Sequence, residues 1–141
     1  MHSVTGGCHC GNIAIEMDLT EAPDAYGPRA CDCDFCRKHG AAWVSDPRGS
    51  LAVRVRNAET LGRYFQGSGQ AGLLFCKTCG VVVCVVHRRE GSIHAAANAA
   101  AIDSRFHFGP AQLVSPQRLS PSEKAARWRE LWFSQVEIHE P

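Results

Sequence analysis

Apolar and polar residues alternate over several short segments in the first two thirds of the chain, which is typical of β-strands with one buried face. The alternation is clearest in NIAIEM (residues 12–17) and LAVRV (51–55). Two further segments, AGLLF (71–75) and VVVCVVH (81–87), are continuously apolar, as in central strands. The alanine-rich segment SIHAAANAAA (92–101) follows the turn sequence REGS, and we predict a strand within it. The pattern therefore predicts a mainly β protein.

One helix is predicted near the C-terminus, over about residues 121–133. In SPSEKAARWRELWF, Ser120 precedes Pro121, and Glu123 follows three residues after the serine, which makes a capping box. Apolar residues then recur on one helical face, at Ala125, Trp128, Leu131 and Trp132. Glu123 and Arg127 have the spacing of an i,i+4 ion pair. We expect the tryptophans to pack against the sheet rather than to form a binding surface.

Length and charge narrow the range of functions. The chain has 141 residues, enough for one domain with a hydrophobic core, and we expect a single domain over residues 1–141. Lys and Arg total 15 against 14 Asp and Glu, which argues against a nucleic-acid or membrane-surface partner. The longest apolar run is too short to cross a bilayer, and no signal peptide is recognisable. We therefore expect a cytoplasmic protein; no sequence feature indicates an oligomeric state.

Cysteine is unusually frequent, with eight residues, and seven of them divide into two pairs and one triplet. In an unexported protein such clusters bind metal or do chemistry more often than they form disulfides. The pairs occur in CHCG (8–11) and CKTCG (76–80), each with a glycine after the second cysteine and an apolar segment beyond it. This is the design of a zinc knuckle, a tight turn that aims two sulfurs at one ion. The sequence thus predicts a closed, structural zinc site formed by Cys8, Cys10, Cys76 and Cys79.

The triplet consists of Cys31, Cys33 and Cys36, within the sequence CDCDFCRKHG. No fourth cysteine is paired with it by spacing, since Cys84 lies in an apolar run and is expected to be a buried thiol. A zinc ion held by three sulfurs keeps an open position, which is the mark of a catalytic site. A thiol that enters such a position loses its proton and becomes a thiolate at neutral pH.

Three alternatives for the triplet stay open. In the first, His39, Asp32 or Asp34 supplies a fourth ligand and closes a second structural site. In the second, Cys33 and Cys36 form a redox-active disulfide of the C-x-x-C type. In the third, the triplet is empty or oxidised in a purified sample, because three ligands on one loop hold a metal less firmly than four.

Basic and aromatic residues follow the triplet closely. Arg37, Lys38 and His39 come directly after it, and Trp43 and Arg48 lie a few residues further on. A carboxylate-bearing thiol would find there a metal for its sulfur and cations for its carboxylates. Lys38 by itself is expected to be a solvated surface charge.

The three cysteine motifs together resemble a known family. GGCHCGNIAIE, CDCDFCRKHGAAW and FCKTCGVVV, in that order, are similar to the glutathione-dependent formaldehyde-activating enzymes, which include the centromere-protein-V type domains. The resemblance covers about residues 4–100. It implies the β-tent fold of methionine sulfoxide reductase B and a mammalian Rab-exchange factor, with a structural zinc on the two pairs and a second zinc on the triplet. It also indicates Asn98, in the segment ANAAAID, as a residue that lines the site.

The family's reaction joins formaldehyde to glutathione and is classed with carbon–sulfur lyases. The resemblance implies that this chain uses two zinc ions, binds glutathione or a similar thiol, and forms or cleaves its adduct with formaldehyde or another small aldehyde. Arg37, His39, Trp43 and Asn98 are expected to contact the substrate. Two rival functions stay open: a non-catalytic binding module with two structural zinc sites, and a reductase like methionine sulfoxide reductase B with Cys84 as the nucleophile.

Overall fold

Eleven β-strands and two α-helices make up the fold of the computed structural model, which describes residues 1–141. The strands are β1 (His2–Gly7), β2 (Ile13–Leu19), β3 (Arg29–Cys31), β4 (Ala42–Val44), β5 (Ser50–Val55), β6 (Leu61–Phe65), β7 (Ala71–Cys76), β8 (Val82–Arg89), β9 (Ser92–Asn98), β10 (Gln112–Val114) and β11 (Gln135–His139). The helices are α1 (Asp34–His39) and α2 (Pro121–Leu131). The prediction of a mainly β protein with a helix near the C-terminus is confirmed; the short helix α1 is an addition to it.

The strands form two sheets. A four-stranded sheet has the order β1-β2-β5-β11, and a seven-stranded sheet has the order β10-β3-β4-β9-β8-β7-β6. β10 runs parallel to β3 and β11 runs parallel to β5, whereas the other neighbours are antiparallel. The C-terminal part of the chain therefore adds an edge strand to each sheet and places α2 between these two additions.

The main hydrophobic core combines the inward faces of both sheets. On β2, the residues Ile13, Ile15, Met17 and Leu19 are at most 2% exposed, and more exposed residues separate them. β5 repeats this alternation. The period-two pattern in the sequence is thus confirmed, because a strand directs successive side chains to opposite faces.

The alanine-rich segment forms strand β9, as predicted, although alanine favours helix. β9 lies between β4 and β8, which supply partners for its backbone hydrogen-bonding groups. Ala95, Ala96 and Ala97 are fully buried, and Ala95 exchanges two backbone hydrogen bonds with Phe133, at 3.1 and 2.9 Å. The small alanine side chains allow the fully buried Phe133 to approach the strand this closely.

Helix α2 begins with the predicted capping box. The Ser120 hydroxyl accepts the N–H of Glu123 at 3.2 Å, and the Glu123 carboxylate accepts the N–H of Ser120 at 2.9 Å. The helix ends at Leu131, two residues earlier than predicted, because Trp132 has an extended backbone. The predicted ion pair between Glu123 and Arg127 is wrong, because the Glu123 carboxylate folds back onto the helix N-terminus. No helix is long and apolar enough to span a membrane.

A buried carboxylate, Asp46, holds together the loop between β4 and β5. It is 4% exposed and accepts hydrogen bonds from the Thr20 N–H and hydroxyl, the Tyr26 hydroxyl and the Arg48 N–H, at 2.6 to 2.9 Å. Burial by itself raises the pKa of Asp46, but the hydrogen bonds from Thr20, Tyr26 and Arg48 outweigh burial and lower the pKa to about 2. Asp46 is therefore ionised in the folded protein at neutral pH.

Replacing Asp46 with asparagine is expected to lower the free energy of unfolding by about 1–3 kcal/mol, because buried donors lose a charged acceptor. The folded-state pKa lies below the ordinary value of 3.8, so the ionised carboxylate contributes its full stabilisation above about pH 4 and loses it only as the pH falls towards 2. The difference between wild type and variant should therefore be constant between pH 6 and 8 in urea unfolding. The exposed Asp24→Asn serves as control; an Asp46→Asn variant as stable as this control would contradict the prediction.

Candidate active site at a three-cysteine cluster

The two predicted cysteine pairs converge on one point. The sulfurs of Cys8, Cys10, Cys76 and Cys79 all lie within 4.8 Å of one another. The turn after β1 supplies one pair, and the end of β7 with the turn after it supplies the other. Both turns place a glycine in the left-handed region, Gly11 at φ 87° and Gly80 at φ 81°. The cluster therefore joins the β1–β2 hairpin of one sheet to the β7–β8 hairpin of the other.

The triplet forms a second cluster. The sulfurs of Cys31, Cys33 and Cys36 also lie within 4.8 Å of one another. Cys31 ends β3, Cys33 caps the N-terminus of α1 by accepting the N–H of Cys36 at 3.5 Å, and Gly40 ends the helix at φ 61°. The tight turn into α1 is what folds three nearby cysteines onto one point.

The thiols of the second cluster share hydrogen bonds. A hydrogen bond from Cys36 lowers the pKa of Cys31 to about 6, against burial, which raises it. The same contact with Cys31, together with burial, raises the pKa of Cys36 well above its ordinary range. Cys31 is thus ionised and Cys36 protonated at neutral pH, and a cation bound between them would replace the proton of Cys36.

None of the three alternative fourth ligands joins the second cluster. The Asp32 carboxylate is bonded to the Ser115 hydroxyl and the Gln117 side-chain amide. The Asp34 side chain is 94% exposed and lies 3.8 Å from the Arg37 guanidinium.

His39, the remaining candidate for a fourth ligand, does not join the sulfur cluster either. Its ring packs on Phe35, with 4.4 Å between the ring centroids, and lines a separate cavity of about 340 Å³. The donor set of the second cluster is therefore three sulfurs. Both clusters could hold metal ions, and all-sulfur donor sets fit zinc.

A cavity of about 380 Å³ borders the second cluster. Its walls come from β3, α1, β4, the β6–β7 loop, residues 114–117 and α2, and its floor from β7 and β8. All three cysteines of the triplet line it. A molecule of tripeptide size entering this cavity would therefore meet the sulfur cluster.

Three cations line the cavity, namely Arg29, Lys124 and Arg127, against one carboxylate, that of Asp34. Burial and the nearby charge of Arg127 lower the pKa of Arg29 to about 10, which keeps it protonated at neutral pH. The Arg29 guanidinium donates to the Ser45 hydroxyl at 2.7 Å. The cavity therefore presents a net positive charge. The buried Ser45 hydroxyl holds one of its cations, Arg29, in place.

Tryptophans form much of the apolar lining. Trp128 stacks on Trp132 with 4.9 Å between centroids and 17° between planes, and both line the cavity together with Trp43. Trp132 also packs with the sheet residues Leu73 and Val85. The expectation that the helix tryptophans pack against the sheet is therefore incomplete, because the same side chains line the cavity.

The four predicted substrate-contacting residues are placed differently. Trp43 lines the cavity, whereas Arg37 and His39 lie on the exposed side of α1 and do not. Asn98 is 4% exposed; its amide donates to the Val82 carbonyl at 2.9 Å and its side-chain oxygen accepts the N–H of Ala100 at 3.2 Å. Asn98 thus ends β9 and caps the turn that follows it.

Arg29, Lys124 and Arg127 were not among the predicted site residues. Lys124, Arg127 and Trp128 share a helical face by their spacing, which is visible in the sequence. Which face of α2 meets the triplet depends on how the helix docks, and no local pattern encodes that.

Cys84 is fully buried within β8 and belongs to neither sulfur cluster. Burial raises the pKa of its thiol to about 12, so it is protonated at neutral pH. A protonated thiol with no access to solvent is a poor nucleophile, which removes the support for a reductase that uses Cys84.

Comparison with known proteins agrees with this arrangement. The family described as glutathione-dependent formaldehyde-activating enzyme matches residues 3–117, a range that includes both cysteine clusters. The chain belongs to this family. A crystal structure of a Rhodobacter sphaeroides protein is also similar, at 26% identity and a TM-score of 0.51, over 96% of this chain and 99% of that chain. Membership of the formaldehyde-activating family implies glutathione and formaldehyde as partners.

The match to the formaldehyde-activating family ends before α2 begins. The sulfur cluster and the floor of the cavity lie inside the matched range. Four lining residues lie beyond it, all on α2 or directly after it: Lys124, Arg127, Trp128 and Trp132. The cavity is therefore completed by a part of the chain that the family match does not include.

Proposed function

We propose that the protein binds glutathione or a similar thiol and forms or cleaves its adduct with formaldehyde or another small aldehyde, as a carbon–sulfur lyase. The observation that carries this proposal is the cluster of three cysteine sulfurs, which has no fourth protein ligand and borders a positively charged cavity. A closed four-ligand site would leave no position for a substrate sulfur.

In this proposal both clusters hold zinc. Cys8, Cys10, Cys76 and Cys79 form the closed structural site. The triplet holds the second ion, which would lower the pKa of a thiol that enters its open position.

The reaction needs a thiolate, an aldehyde and one proton. In the forward direction the sulfur electron pair forms a bond with the carbonyl carbon, the C=O π pair moves to oxygen, and that oxygen takes up a proton equal to the one the thiol released. The cavity lining contains no histidine, and its only carboxylate, Asp34, is exposed. In this proposal the thiol therefore releases its proton to water at the mouth of the cavity, and the aldehyde oxygen takes up a proton from that water.

The chain's own residues position the reactants. Trp43 and Trp132 are largely buried and provide an apolar wall in the cavity that the triplet borders. An apolar wall lowers the local dielectric constant and strengthens the attraction between an anionic ligand and the cavity cations. Of the four residues predicted from the sequence to contact substrate, only Trp43 keeps that role in the proposal.

We further propose that residues 1–141 form one β-tent domain that acts in the cytoplasm. Seven cysteines of the two clusters must stay reduced to bind metal, and the cytoplasm provides that condition.

The proposal is tested by counting bound metal and thiol on the full chain. Native mass spectrometry of protein purified under reducing conditions with zinc is expected to show two zinc ions, and one glutathione upon titration. Exchange spectroscopy with ¹³C-formaldehyde should then show adduct exchange faster than the uncatalysed rate. Two zinc ions without glutathione binding would favour the alternative, a binding module with two structural zinc sites. A single zinc ion at full occupancy of the first cluster would refute the proposed site.

A further inference from the structure

We propose that helix α2 selects the thiol. In this inference Lys124 and Arg127, with Arg29, form an anion subsite that holds a carboxylate of the substrate, while Trp128 and its neighbour Trp132 pack against the apolar part of the same molecule. The inference rests on the proposed function and narrows it to thiols that carry a carboxylate. It makes α2 the specificity-determining element.

The three cations of the subsite have no anionic partner in the protein. The four ion pairs of the structure involve other basic residues: Arg37, Arg54, Arg63 and His139. On α2 itself, the Glu123 carboxylate is bonded to the Ser120 N–H, and Glu130 forms no ion pair. Three cations that line one cavity and form no ion pair with the protein attract an anion, and a guanidinium can bind a carboxylate with two parallel hydrogen bonds.

The helix that carries two of these cations is anchored at both ends. At its start, the Gln70 side-chain amide donates to the Pro121 carbonyl at 3.0 Å. At its end, the Ser45 hydroxyl donates to the Leu131 carbonyl at 2.6 Å and accepts from Arg29. The Ser45 hydroxyl thus fixes the third cation and the helix end together, so the subsite is organised before a ligand binds.

The two halves of the site come from different parts of the chain. The sulfur cluster lies within residues 3–117, which match the formaldehyde-activating family, and α2 lies beyond them. The helical spacing of Lys124, Arg127 and Trp128 puts two cations and an indole on one face, and that face meets the cavity. The bond-forming chemistry is thus assigned to the matched region, and the choice of thiol to α2.

Changing the ligand tests the inference without any variant. Binding to the zinc-loaded full chain is measured by isothermal titration calorimetry for glutathione, its diethyl ester and S-methylglutathione. The ester keeps the thiol but loses both carboxylates, and S-methylglutathione keeps the carboxylates but has no free thiol. We expect the ester to bind about 10- to 100-fold more weakly than glutathione, as expected for the loss of charge-assisted hydrogen bonds. An ester that binds as tightly as glutathione would overturn the inference.

The two proposals fail in different ways. If S-methylglutathione binds as tightly as glutathione, the sulfur contributes nothing and the proposed function fails, while the anion subsite stands. If glutathione and its ester bind equally and S-methylglutathione does not bind, the thiol site stands and the subsite fails. If none of the three binds, both fail.

Variants on α2 locate the subsite. Arg127→Gln is expected to weaken glutathione and S-methylglutathione about 10-fold or more, and Lys124→Gln by a smaller factor, with the ester unaffected. The matched control is Arg129→Gln, on the same helix but outside the cavity lining. Circular dichroism checks that each variant folds. An Arg127→Gln variant that binds glutathione like the control, or that weakens the ester equally, would overturn the assignment.

Discussion

Replacing Cys76 with serine is expected to unfold the protein. Cys76 is fully buried and is one of four sulfurs that join the two hairpins. A structural zinc site contributes about 10–16 kcal/mol in small zinc domains, as much as or more than the total stability of about 5–15 kcal/mol usual for a domain. Thermal unfolding followed by circular dichroism should therefore show no cooperative transition for Cys76→Ser at a temperature where the wild type is folded.

Cys84→Ala is the matched control for this variant. It also removes a fully buried thiol, but one that belongs to neither cluster. Its loss should lower the free energy of unfolding by about 1 kcal/mol, since only a small cavity is created, and should leave both metals bound. A Cys76→Ser protein that unfolds cooperatively near the wild-type temperature and keeps its full zinc content would disprove the structural role of the first cluster.

Cys36→Ser is expected to remove the second metal and thiol binding while the fold is retained. The triplet has three donors only, and the loss of one leaves two sulfurs, too few to hold zinc firmly. We expect adduct exchange to fall by about 100-fold or more, because changes in residues that merely support metal ligands already cost 10- to 100-fold. The zinc count by native mass spectrometry should fall from two to one.

Two further measurements separate this result from general damage. The cooperative thermal transition of Cys36→Ser should persist, because the first cluster and the main core are untouched. Lys38→Ala changes an exposed side chain on the helix that carries Cys36, outside the cavity lining, and should keep two zinc ions, the fold and activity. Activity of Cys36→Ser at the wild-type rate would rule out the triplet as the reaction centre.

Much of the secondary structure could be predicted from local patterns in the sequence. The alternation in β2 and β5 predicted two strands with one buried face, and both were confirmed because burial of that face is what stabilises them. The capping box at Ser120 predicted the start of α2, since the hydrogen bonds of a cap are made within one turn. The end of α2 was predicted two residues too late, because it depends on a distant contact, the pairing of Phe133 with Ala95.

In the candidate site, too, the sequence predicted what depends on residues close together in the chain and missed what depends on the fold. Cys31, Cys33 and Cys36 lie close together in the chain, so a single turn suffices to bring their sulfurs together. The predicted contacts of Arg37 and His39 with substrate followed from their position next to the triplet. In the structure α1 turns these two side chains to its exposed side, because a helix directs neighbouring residues to different faces.

The sequence by itself determined the donor chemistry: two knuckle pairs and a triplet, each built by a short turn whose glycines and cysteines are close in the chain. Only the tertiary structure decided that α2 closes the cavity over the triplet and that Arg29 meets Arg127 there. Those residues are brought together by the parallel pairing of β10 with β3 and by the hydrogen bond from Ser45 to Leu131. Contacts between distant segments depend on the packing of the whole chain, and that packing leaves no local pattern at the residues it joins.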